Sequence, residues 1–182
     1  MNAIDVLHYG HRTVLATVDG LADADWNAPN VCGVWSSKEI IAHLASFEVL
    51  LVDVLNTFLD DTPRPCLTRY LELGGQGFND TEVPARRHLS PQAVLAEYTL
   101  ACEQTQTLIT RIPVAKRRET GTLPWYGNEY DLEDFIAYQY YGHKREHTAQ
   151  INVFRLSRRL WPRRRHATSA STPRRSTSSV TR

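Results

Sequence analysis

Leu132, Ile136, Tyr140, His143, His147, Ile151 and Phe154 follow one another at steps of three and four residues. That step keeps side chains on one face of an α-helix, whereas a strand alternates every second residue. Three further segments carry the same pattern. Ile4, Leu7, His11, Val14, Leu15 and Val18 form one stripe, and Ile40, His43, Leu44, Phe47, Leu51, Val54 and Phe58 form another. Val94, Leu95, Tyr98, Cys102, Thr105, Leu108 and Ile109 complete the set. Helices with a single apolar stripe must bury those stripes on each other. The chain therefore reads as all-α, a four-helix bundle, with no convincing strand.

Local signals place the ends. The first helix covers about residues 2–20 and breaks at Gly20. The second opens at Ser36, where Glu39 completes a capping box, and runs to about Asp60. Ser90-Pro91 opens the third and Pro113 ends it; Asp131, with Asp134 in the first turn, opens the fourth, which Pro162 stops. Between the second and third lies a crossover over 61–89, punctuated by Pro63, Pro65, Gly74, Gly75, Gly77 and Pro84. It reads as a loop with a short helix at 69–73, long enough to let its two flanking helices run parallel.

Residues 1–161 form one domain, and 162–182 form a basic, Ser- and Arg-rich tail with six arginines and no acid. The net charge of +1 hides this asymmetry: without those arginines the remainder is mildly acidic. The tail is expected to be disordered and solubilising, with at most a weak hold on nucleic acid, because no aromatic interleaves its arginines. No run of 18 uncharged apolar residues predicts a membrane span, and Met1–Asp5 has no leader pattern. Cys32, Cys66 and Cys102 form no Cys-x-x-Cys and suit free thiols in a reducing cytoplasm.

The chemistry lies in the stripes. His143 and His147 stand one helical turn apart and both occupy inward slots, as does His43. Three imidazoles turned into one core are costly unless they share a partner, and one metal ion supplies it. Such a set leaves coordination positions open and suits zinc, nickel, copper or iron better than magnesium or calcium. Glu146 makes His143–His147 a match to the inverted zinc-peptidase motif, but that chemistry needs a further acidic ligand and no acid follows Glu146. Glu146 remains a candidate general base; a surface ion pair with neighbouring Lys144 or Arg145 is the alternative. Gln150, one turn on, could hydrogen-bond a ligand imidazole. Trp125, Tyr126, Phe78 and Asn79 are candidates to line a substrate pocket. Their alternative role is to cap the core. His8 and His11 are three apart and read as core-edge imidazoles sooner than as a second metal site. Arg86 and Arg87 could steer an anion or simply be surface charge. Gly74-Gly75-Gln76-Gly77 lacks the following Lys-Ser/Thr of a phosphate cradle and reads as a flexible loop.

Trp35-Ser36-Ser37-Lys38-Glu39-Ile40-Ile41-Ala42-His43-Leu44, followed by His143-x-x-x-His147-x-x-Gln150-Ile151, resembles the DinB/YfiT-like superfamily over nearly the whole chain up to Trp161. The resemblance implies an up-down-down-up four-helix bundle with the long crossover between helices 2 and 3. It implies a divalent metal, zinc, nickel or iron, held by one histidine of helix 2 and two of helix 4; these map to His43, His143 and His147. Relatives include transferases of low-molecular-weight thiols such as bacillithiol or mycothiol, maleylpyruvate isomerases, the iron-binding half of sulfoxide synthases, and self-resistance proteins against reactive genotoxins. The expectation is a metal-dependent enzyme on a small molecule, of thiol S-transferase or hydrolase type, in stress response or detoxification. The alternatives are a non-catalytic metal- or ligand-binding bundle and a self-resistance protein. Relatives often pair, so a homodimer is the assembly the resemblance implies.

Overall fold

The computed structural model describes residues 2–160, and every regular element among them is helical. In chain order these are α1 (Ala3–Val18), α2 (Asp23–Trp26), α3 (Ser37–Asn56), α4 (Pro65–Ala85), α5 (Pro91–Arg111), α6 (Val114–Arg117) and α7 (Leu132–Ile136). A π-helical stretch, Ala137–Gly142, then joins α7 to α8 (His143–Leu160). Trp161 and the tail expected at 162–182 lie outside the described residues.

The capping signals act as their chemistry requires. The Ser36 hydroxyl accepts from the Glu39 amide at 3.2 Å while the Glu39 carboxylate accepts from the Ser36 amide at 3.0 Å, the reciprocal pair of a capping box. Ser90 caps α5 through the Ala93 amide at 3.1 Å, and Asp131 caps α7 through the Asp134 amide at 2.8 Å. Each cap satisfies an amide that the first turn of a helix leaves without a partner.

The crossover departs from expectation. Residues 61–89 are mostly helix, not loop with one short turn, and the glycine-rich run lies inside α4. Pro65 opens that helix, where its missing N–H costs nothing. Its cap comes from another helix: the Asp53 carboxylate of α3 accepts from the amides of Cys66 at 2.7 Å and Leu67 at 3.1 Å. Gly74 breaks the rod with φ 66° and ψ 171°, a backbone that residues with a Cβ rarely adopt. The two arms of α4 then lean on α3 from either side of the kink. Arg86 ties the far arm to α5 by bonding Glu82 at 2.7 Å and Glu97 at 2.6 Å, so its charge is spent inside the fold.

The five long helices α1, α3, α4, α5 and α8, with α7 and the π-helical stretch, surround two apolar clusters. Leu7, Leu51, Leu55, Phe78, Ile109, Ile136 and Tyr140 belong to one. Val14, Val18, Ile40, Leu44, Val94, Tyr98 and Ile151 belong to the other. On α1, α3 and α5 the two groups are separated by about a turn or two, and His11, Glu48 and Thr105 stand in that interval.

Candidate metal centre

His43 and His147 are buried, at 3% and 6% exposure, and His143 is half-buried. α3 delivers the first ring and α8 delivers the other two from adjacent turns. His43 Nε2 lies 2.7 Å from His143 Nε2, and His143 Nε2 lies 3.0 Å from His147 Nε2. The ligating atoms of all three fall within 4.8 Å of one another, and no other such group occurs among the described residues. Metal–nitrogen bonds of about 2.0–2.1 Å let one ion bridge nitrogens this close.

The protonation states suit that use. Burial, followed by the neighbouring charges of His143 and His147, pushes His43 down to about 3, against which the Asn79 carboxamide acts weakly. His143 is pushed down to about 4 by burial, then by His147 and Lys144. His147 is lowered by burial too, while Gln150 and Glu146 oppose the shift. All three rings are therefore neutral at pH 7, and a neutral imidazole offers a lone pair. His147 Nδ1 donates to Gln150 Oε1 at 2.8 Å, which leaves the lone pair on Nε2, facing the other two rings. Gln150 is itself held by a long contact of 3.5 Å from its Nε2 to Glu146 Oε1. A proton on His143 Nε2 could satisfy one neighbour and would clash with the role of the other. One shared cation resolves all three, so the trio could bind a metal ion.

The rings are set by packing. A tight turn through Gly33, whose φ is 55°, returns the chain from Cys32 to Trp35, and Trp35 lies 5.0 Å from the His43 ring. Phe47, one turn beyond His43, lies 4.8 Å from it and 5.1 Å from His143. The π-helical stretch precedes His143 directly. Its wider turn, the mark of i→i+5 bonding, carries Tyr140 into the core and keeps the buried stripe continuous from α7 into α8.

A cleft of about 530 Å³ opens beside the nitrogens. Trp35, Phe47, Tyr70 and Tyr138 give it aromatic walls, and Asn79, Gln139 and Glu146 give it polar ones. The Asn79 carboxamide acts on His43, although neither Asn79 Oδ1 nor His43 Nδ1 meets a partner at ordinary hydrogen-bond distance. Glu146 is exposed at the rim. Gly75 also lines the cleft, which is the use the fold makes of the glycine run.

The remaining candidates sit elsewhere. Trp125 and Tyr126 do not line this cleft; they pack on Phe135 at 5.3 and 4.8 Å, with Tyr70 between Trp125 and the site. Phe78 is fully buried in the core. His8 and His88 are exposed, and His11 stacks on Tyr98 at 5.5 Å. Arg87 faces Glu39 at 3.4 Å. Lys144 is no surface partner for Glu146: it turns inward to the carboxylate of Glu48 at 2.6 Å. Of the cleft residues that sequence reasoning passed over, Phe47 was findable, since it follows His43 on the same stripe. Tyr70 and Tyr138 were not: Tyr70 falls in the short helix expected at 69–73, which no pattern docked against the histidines, and Tyr138 lies within the π-helical stretch, where the 3.6-residue step fails.

None of the curated proteins and none of the solved structures gives a significant match to the chain. A family model described as the DinB superfamily matches residues 7–151, a span that includes all three histidines. The chain belongs to the DinB superfamily.

Proposed function

We propose that this protein is a metal-dependent enzyme acting on a small molecule, of thiol S-transferase or hydrolase type, with His43, His143 and His147 holding one divalent zinc, nickel or iron ion. One observation carries the reading: three lone-pair nitrogens converge on the wall of an open cleft of about 530 Å³, not inside a closed core. Structural metal sites are closed by their own ligands, whereas catalytic ones keep a position for substrate. The chemistry that a divalent ion held by His43, His143 and His147 would supply is acidification of a water or thiol, giving a nucleophile near neutral pH.

The chain's own residues supply the rest. Glu146, exposed at the rim, can accept the proton that the nucleophile releases. Asn79 Oδ1, buried beside His43, can accept from that ring's Nδ1–H and so keep its Nε2 lone pair turned to the other two rings. Trp35, Phe47, Tyr70 and Tyr138 can hold an apolar body against the ligands and limit water. A low-molecular-weight thiol is the proposed co-substrate, with stress response or detoxification as the setting. The reading extends to an up-down-down-up order of α1, α3, α5 and α8, a cytoplasmic location that suits three free cysteines, and a homodimer.

Protein purified without chelator is expected to carry close to one transition-metal ion per chain. When loaded, it is expected to turn over thiol and electrophile pairs in an S-transfer screen. His143→Ala should lose the metal and the turnover together. Absence of stoichiometric metal, both as purified and after reconstitution, refutes the reading. Metal uptake without turnover of any thiol, ester or amide in the screen reduces it to a metal-binding bundle.

A further inference from the structure

A polar layer crosses the bundle between the two apolar clusters. α1 contributes His11, α3 Glu48, α5 Thr105 with Cys102 at the edge of the second cluster, and α8 Lys144. At its centre Lys144 Nζ meets Glu48 Oε1 at 2.6 Å, with the two side chains 3% and 1% exposed. The second Glu48 oxygen is approached by Cys102 Sγ at 3.3 Å and by Thr105 Oγ1 at 3.4 Å. Lys144 Nζ also stands 5.8 Å from the centre of the Tyr98 ring. Gly10 admits the lysine stem, since a Cβ there would come within 3.1 Å of Lys144 Cδ.

An ion pair at this depth is a weak stabiliser, because the cost of taking two charges out of water offsets most of their attraction. What it adds is direction. Apolar contacts tolerate rotation and slippage, while a buried charge accepts only the position that meets its counter-charge. α8 needs such a constraint. Its buried residues are Lys144, His147, Thr148 and Ile151, and only the last is a large apolar side chain. The stripe chooses the inward side, but within α8 itself hydrophobic packing does little to fix the exact rotation. A shift of one residue rotates the helix by about 100° and would carry His143 and His147 away from His43. Lys144 directly follows His143, and Glu48 shares α3 with His43, so the pair joins the two helices that carry the ligands.

We propose that the buried Lys144–Glu48 pair positions the metal centre, fixing the rotation of α8 against α3 so that the three Nε2 atoms converge. This rests on the metal-binding reading above. The test uses Co²⁺ as a visible probe, together with thermal melting, on the full chain. Glu48→Leu combined with Lys144→Met removes both charges and keeps an apolar fill. It should melt at or above the parent temperature yet bind Co²⁺ about 10- to 100-fold more weakly, with an altered absorption spectrum. Gly10→Ala keeps every charge and ligand but crowds the lysine stem. It should weaken Co²⁺ by roughly threefold or more, which is about half of a tenfold step, without lowering the melting temperature. If the double variant does not fold, Gly10→Ala decides alone. Parental affinity and spectrum in every variant that folds overturn the proposal and leave metal binding intact. A parent protein that takes up no Co²⁺ overturns the metal reading, and this proposal with it.

Discussion

Lowering the pH of the metal-free protein should unfold it, and the size of the effect follows from the histidines. His43 and His143 have folded pKa values of about 3 and about 4, against 6.5 for a free imidazole. Because the folded values are the lower ones, the unfolded chain binds more protons throughout the window between them. Stability is therefore complete above about pH 6.5 and is lost as the pH falls towards 4. Each ring that stays neutral in the fold costs about 1.4 kcal/mol per pH unit in that window. Over the 2.5 units from pH 6.5 to pH 4, these two rings together remove about 6 kcal/mol. His147 and His11, also lowered by burial, act in the same direction. A loss of that size is comparable to the whole stability of an ordinary domain, about 5–15 kcal/mol. The assay is urea unfolding followed by far-ultraviolet circular dichroism, in chelator, at half-unit steps from pH 7.5 to 4. His43→Leu keeps an apolar side chain at the site and removes one titrating ring. Its stability should fall less steeply by about 1.4 kcal/mol per pH unit, or about 3 kcal/mol across the window. A variant whose pH slope matches that of the parent would refute the reasoning, because His43 would then not be held neutral by the fold.

Other perturbations separate the site from its frame. Gln150→Leu removes the acceptor of His147 Nδ1–H and should weaken metal binding about 10- to 100-fold by calorimetric titration, with little change in melting temperature. Trp125→Ala strips the packing on Phe135 and Tyr70 and should cost about 2–4 kcal/mol in chemical denaturation, while metal affinity stays at the parental value. Iodoacetamide at pH 8 should label Cys32 in the native protein and spare the other two cysteines. Cys66 is buried with its thiol pushed up to about 12, and Cys102 is buried with its thiol raised by desolvation and by Glu48. Mass spectrometry of the digest reads the pattern.

What could be read in the one-dimensional chain was whatever is decided within a turn or two of helix. The step of three and four residues is enough to turn His43, His143 and His147 inward, because a side chain's face depends only on its place along its own helix. The caps at Ser36, Ser90 and Asp131 were legible for the same reason: donor and acceptor lie three residues apart. Tertiary structure decided everything whose partner lies far along the chain. α4 forms through Gly74 and Pro84 because Asp53, on another helix, caps its first turn and because its arms find α3 to pack against. Lys144, flanked by charged neighbours and surface-like by composition, goes inside because Glu48, Cys102 and Thr105 wait there on two other helices. Trp125 and Tyr126 leave the cleft to Tyr70 and Tyr138 because loop aromatics go to whichever apolar wall is nearest, and only the packed helices say where that wall stands. Periodicity is a property of one helix; a binding site is a property of their docking, which depends on contacts that no local pattern encodes.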